Sequence, residues 1–235
     1  MNNLYLYLNL FTLSLPLLLS FDKKVAFYKS WKQLFPAIVL MAVIFILWDA
    51  LFNYYNIWAF NDKYLIGSRL LGLPIEEWMF FFTVPYACVF IYACLVAYLK
   101  TDPLKNLHRP FLFGLSFLLL LVAAFHYDRL YTSITFVATA ILLLYNLKKR
   151  RPWLSMFLLS YFVTLLPFVF VNGILTGSYI QDQVVWYNPA HNLNLRILTI
   201  PVEDSIYNLL MLLLTVQLFE GYKSKAKRKA VNLSE

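Results

Sequence analysis

Along this chain, hydrophobic residues neither alternate nor recur on one helical face; they run unbroken over 15 to 23 residues between short polar stretches. Seven such segments are long enough, or nearly so, to cross about 30 Å of hydrocarbon. They are Leu4 to Phe21, Leu34 to Leu51, Trp78 to Leu99, Phe111 to Phe125, Tyr131 to Leu147, Trp153 to Leu175 and Leu198 to Phe219. Transmembrane strands would read as alternating segments of about ten residues, so the pattern predicts helices and not a barrel. The expected fold class is all-α, a polytopic membrane protein of about seven transmembrane helices.

The loops between these segments predict an orientation, because Lys and Arg near span ends favour the cytoplasmic side. Sixteen basic residues fall on the side of the first, third and fifth loops and the tail, against four on the other side. This places the N-terminus outside and the C-terminus in the cytoplasm of a plasma-membrane protein, and it requires an odd number of spans. The first 21 residues carry no Lys or Arg, unlike a cleaved signal peptide, so the first segment is expected to stay as a span. The tail from Lys223 to Lys229 reads as a topological anchor.

Composition narrows the chemistry. With 61% hydrophobic and 14% charged residues the 235-residue chain is not a soluble domain, which would carry about a quarter charged residues. The net charge of +8 is spread over separate clusters, which fits anionic lipid and argues against nucleic acid. Cys88 and Cys94 would point about 120° apart on one helix and cannot pair. The three histidines (His108, His126, His191) lack ligand spacing, and there is no glycine-rich phosphate cradle. No metal, flavin or nucleotide cofactor is expected.

A signature appears twice at an offset of 127 residues: Pro74-Ile75-Glu76-Glu77-Trp78-Met79-Phe80 and Pro201-Val202-Glu203-Asp204-Ser205-Ile206-Tyr207. Each copy opens an inward-running span, follows a long outer loop containing Trp58 or Trp186, and comes after a span that ends in Asp49 or Asn172. The repeat is therefore parallel. Its halves divide as residues 1–110, with spans one to three, and 111–235, with spans four to seven.

Proline followed by two acids is a good helix start, since its missing N–H costs nothing there and carboxylates face free amides. Depth asks for more. Only the 15 residues Ser205 to Phe219 separate Asp204 from the polar tail, roughly 22 Å of helix, so Glu203 and Asp204 fall inside the outer leaflet. Carboxylates there are costly and usually functional. Topology brings Asp49, Glu76, Glu77, His126, Asp128 and Asn172 to the same end, with Arg129 expected to pair with Asp128. The expected result is one acid-lined pocket open to lipid, with Glu76, Glu77, Glu203, Asp204 and Asp49 as catalytic candidates.

Trp58, Trp78, Phe80, Phe81, Phe82, Trp186, Tyr187 and Tyr207 surround these acids in sequence, and their rings can stabilise a cation. Acids that desolvation keeps protonated, beside such rings, point to carbocation chemistry on an apolar substrate.

The doubled Pro-x-Glu-Glu/Asp signature, the Trp48-Asp49 pair, the stretch from Asn172-Gly173 to Trp186-Tyr187-Asn188, and Thr199-Ile200-Pro201 resemble the membrane-integral lycopene cyclase domain family. The resemblance covers nearly the whole chain and implies that both halves, separate chains in some members, are fused here. It implies cyclisation of linear carotene end groups without net redox change, an intramolecular lyase-type isomerase reaction. Glu76, Glu77, Glu203 and Asp204 would be acid and base, and Trp58, Trp78, Phe80, Phe81, Trp186, Tyr207 and Asn172 would bind an apolar carotenoid arriving from the bilayer. Bulk lipid and a second copy of the chain are the other expected partners. A carotenoid hydratase would form the same cation and capture it with water. A proton-coupled transporter would show polar groups and broken helices at midspan, and the spans here are apolar at their centres. A retinal protein would need a midspan lysine, which no span carries.

Overall fold

The computed structural model describes residues 3–232, and among these it contains seven α-helices. They are α1 (Leu4–Leu19), α2 (Trp31–Tyr54), α3 (Ile75–Tyr98), α4 (His108–Phe125), α5 (Leu130–Lys148), α6 (Leu154–Leu175) and α7 (Val202–Asn232). Helices α2 to α7 are long and apolar enough to cross a membrane, whereas α1, at 16 residues, rises only about 24 Å. The all-α, multi-pass architecture expected from the apolar runs is the one observed.

The loops before α3 and α7 hold what hydrophobicity did not signal: three two-stranded antiparallel ribbons. Strand β1 (Trp58–Phe60) pairs with β4 (Val185–Tyr187), joining the two long loops. Strands β2 (Arg69–Leu70) and β3 (Leu73–Pro74) form a hairpin that feeds α3, and β5 (Arg196–Ile197) and β6 (Ile200–Pro201) form one that feeds α7. The β2–β3 turn needs positive φ at Leu71 (54°) and Gly72 (81°), the mirror-image turn that suits a twisted hairpin. The β5–β6 hairpin corrects the expected start of the last span. Leu198 sits in its turn and Ile200 in its second strand, so helix begins at Val202. At the other end α7 continues past Phe219 through the basic residues to Asn232.

Packing follows the distribution of apolar positions. Helix α4 buries the single stripe Leu112, Ser116, Leu119 and Ala123 and lies at the periphery against α5. Helix α7 buries every residue from Asn208 to Leu213, as a helix apolar all round must, and packs against α2, α3, α5 and α6. Leu18, Phe113, Phe117 and Leu166 point outward, where lipid can cover them.

The internal repeat is visible bond by bond. Arg69 Nη1 donates to the Gly72 carbonyl (3.0 Å), and Arg196 Nη1 donates to the Thr199 carbonyl (2.6 Å). The Ile75 amide donates to Ser68 and the Val202 amide to Leu195, each at 3.0 Å. All four pairs obey the 127-residue offset, so α1–α3 correspond to α5–α7, and α4 is the connector that gives both halves one orientation.

Candidate functional site

At the N-terminal ends of α3 and α7 the two acids of each signature part company. Successive residues on a helix are about 100° apart, so one acid of each pair faces the hairpin and the other the bundle interior. Glu76 Oε1 accepts the Ile66 amide (2.6 Å), and Glu203 Oε1 accepts the Leu193 amide (2.7 Å) and the Thr132 hydroxyl (2.7 Å). Both residues are completely buried and neither lines the cavity described next. Glu77 and Asp204 do line it. Tyr5 Oη donates to Glu77 Oε2 at 2.6 Å, and Tyr131 Oη donates to Asp204 Oδ1 at 2.7 Å, a matched pair from α1 and α5.

Asp204 receives two further donors, Tyr187 Oη (2.8 Å) and Asn172 Nδ2 (3.0 Å), both on Oδ2. Asp49, at the far end of α2, receives only the long bond from Tyr207 Oη (3.4 Å), and its Oδ2 is buried without a partner. Among the described residues the ion pairs are Lys63–Asp182, Asp62–Arg69 and Lys223–Glu220, all outside the cavity. The cavity carboxyls thus face neutral phenols and amides instead of cations. Burial and the adjacent Asp204 carboxyl push the Tyr187 phenol well above its usual 10.0, so it remains a neutral donor.

The β1–β4 ribbon roofs the site. Side chains alternate along strands, so the paired residues Trp58 and Tyr187, and Phe60 and Val185, face the cavity. Ala59 and Trp186 face the other way, and Trp186 is exposed. Two aromatic residues expected at the site therefore lie elsewhere: Trp186 by this alternation, and Trp78 because its indole N–H donates to the Leu70 carbonyl on the β2–β3 hairpin (3.1 Å). Phe81 is fully buried against Phe45 and Phe80, behind the wall. Trp58, Phe80, Tyr207, Asn172 and Asp49 do line the cavity.

His126 and Asp128 sit at the turn from α4 to α5, outside the cavity, because α4 is peripheral. Arg129 is not the counter-ion of Asp128; its guanidinium instead donates to the carbonyls of Pro189 and Asn192 and ties down the loop before α7. Sequence reasoning missed Tyr5, Tyr131 and Asn208. Tyr5 and Tyr131 lie 126 residues apart at equivalent helix starts, a signal that extending the repeat search upstream of the acid signatures would have found.

The cavity encloses about 60 Å³ and is walled by the rings of Tyr5, Trp58, Phe60, Phe80, Tyr131 and Tyr207. Trp58 stands edge-on to Tyr131 (5.1 Å) and Tyr207 (6.0 Å), so rings and phenols surround the acids. A family model described as lycopene cyclase matches residues 2–95 and 128–222, the two repeat halves without α4. The chain belongs to the lycopene cyclase family. Comparison with curated proteins and with solved structures finds no match. Family membership carries a carotenoid-cyclising activity, and within that frame Glu77, Asp204 and Asp49 are the members of the expected acid set that share one space.

Proposed function

We propose that this lycopene cyclase family chain closes rings on the end groups of a linear carotene by proton transfer between carboxyls of the cavity, in the isomerase sense of no net change in composition. The observation that carries the reading is the meeting of Glu77, Asp204 and Asp49, one from each of three helices, in an aromatic-walled cavity without cations. An acid delivers its proton to the terminal C=C bond and leaves a tertiary carbocation. The next double bond attacks it, a C–C bond forms, and the positive charge moves into the new ring. A carboxylate then removes a proton from the adjacent carbon, restoring one double bond. One proton enters and one leaves per ring.

Hydrogen-bond satisfaction divides the roles. Asp204 already accepts three donors and is arranged as an anion, so it suits the base. Asp49 and Glu77 accept one donor each in the bonds described above and have room to carry the proton. Glu76 and Glu203 are positioning residues that fix the hairpins ahead of α3 and α7. The rings stabilise the cation through their faces and keep water from it. The reading places the N-terminus and the ribbon-roofed end outside the plasma membrane, with the carotene arriving from the bilayer.

Purified protein supplied with lycopene in D₂O tests this. The expected product is cyclic and carries one deuterium per ring formed. Hydroxylated product would instead favour the hydratase outcome, and unlabelled cyclic product would contradict protonation by an exchangeable acid.

A further inference from the structure

An apolar hollow of about 370 Å³ lies between α1, α3 and α6 and is lined by, among others, Leu15, Val84, Ala87, Cys88, Ile91 and Thr164. It shares Phe80, Phe168, Asn172 and Asn208 with the acid cavity, so the two adjoin. From Phe80 to Ile91 it follows α3 for about 16 Å toward the opposite end of the bundle. The acid cavity alone holds the volume of about two waters, too little for a carotene end group, so the reacting end must sit where cavity and groove join.

The repeat puts an equivalent region between α5, α7 and α2, and the sequence differs there. At the 127-residue offset, Val84 and Ala87 of α3 correspond to Met211 and Leu214 of α7. Aligning Asp49 with Asn172, Val171 of α6 corresponds to Trp48 of α2, whose indole packs against Phe45 (5.8 Å) and Tyr207 (5.9 Å). At these three positions the second region carries the larger side chain.

We propose that the α1–α3–α6 groove is the binding channel for the polyene chain of the substrate, and that the larger side chains at the equivalent place of the other half make the enzyme accept one chain end at a time, from one side. The inference rests on the cyclase reading above. The occupant is a rigid, straight hydrocarbon without charge, which fits a groove that is almost wholly apolar and runs along helices instead of across them. A substrate cyclised at both ends must then leave and re-enter reversed, so the singly cyclised product precedes the doubly cyclised one.

The test copies the larger residues of one half into the other. Ala87→Leu with Val171→Trp introduces residues that the equivalent site already accommodates, and Val39→Trp on the exposed face of α2 controls for a new membrane tryptophan. At matched protein level the double variant is expected to lose at least ~10-fold in cyclisation while Val39→Trp stays within about twofold of wild type. In a Cys94→Ser background, lycopene is expected to slow modification of Cys88 by an apolar maleimide, and not that of a single cysteine placed at Val39. Wild-type activity retained by the double variant, with Cys88 modified equally fast with and without lycopene, would overturn the groove assignment and leave the cyclase reading intact. Wild-type protein that does not cyclise lycopene would refute the cyclase reading, while protection of Cys88 would still decide the groove.

Discussion

The two halves of the chain share a scaffold and differ in what they put on it. Both start a helix from a hairpin whose arginine grips its own turn, both tie a loop amide to the first acid, and both present the second acid to a tyrosine from the first helix of the half. Yet α2 ends in Asp49 where α6 ends in Asn172, and α3 carries Phe80 where α7 carries Tyr207. Asn172 donates to Asp204 within the second half, and Tyr207 of the second half donates to Asp49 of the first, so both of these distinguishing donors come from the second half. Repetition builds the frame symmetrically, and the halves differ in the residues set beside the acids.

The largest effect is expected where that difference is erased. Asp49→Asn makes the two helix ends alike and removes a candidate acid while preserving shape, so turnover on lycopene should fall by ~10²- to 10⁴-fold. Asn172→Ala should cost less, because Asp204 keeps its two phenol donors. Equal losses from the two variants, assayed at matched level, would remove the distinction between the halves.

The hairpins provide a stability comparison. Gly72 has φ of +81°, and a Cβ there would lie 3.2 Å from Asn53 Nδ2, so Gly72→Ala should cost about 1–2 kcal/mol. Thermal unfolding in detergent would show it as a lowered midpoint. Tyr5→Phe and Tyr131→Phe each delete one hydrogen bond, roughly 0.5–1.5 kcal/mol. Activity should suffer more in Tyr5→Phe, since Tyr5 is the donor to Glu77 described above, while Asp204 retains two. The smallest effect belongs to the exposed Lys63–Asp182 pair, which links the loops before α3 and α7 at the surface; Lys63→Ala should leave cyclisation unchanged.

Much of this arrangement was legible in the sequence because it depends on runs and spacings. Seven apolar segments gave seven helices, and the 127-residue echo gave a parallel repeat whose acids stand at one end of the bundle. Legibility failed where the backbone changes period. Trp58 and Trp186 look equivalent in the chain, but pairing of β1 with β4 sets Trp58 across from Tyr187 and turns Trp186 outward. Adjacent acids look alike too, and only the helix rotation between Glu76 and Glu77 assigns one to a loop amide and the other to the cavity. Arg129 could be matched with an acid by proximity in sequence, whereas in the fold two carbonyls of a loop 60 residues away take its donors.

The central claim is that, within each doubled acid signature, the second carboxyl does the chemistry and the first holds the loop. Comparing Glu77→Gln and Asp204→Asn with Glu76→Gln and Glu203→Gln, at matched protein level with lycopene as substrate, tests it most directly. The account predicts a ~10²- to 10⁴-fold loss of turnover for the first pair. Gln at 76 or 203 keeps a carbonyl oxygen to accept the loop amide, so the second pair should remain within about tenfold of wild type. Loss of the same size in all four, or losses concentrated in Glu76→Gln and Glu203→Gln, would contradict it.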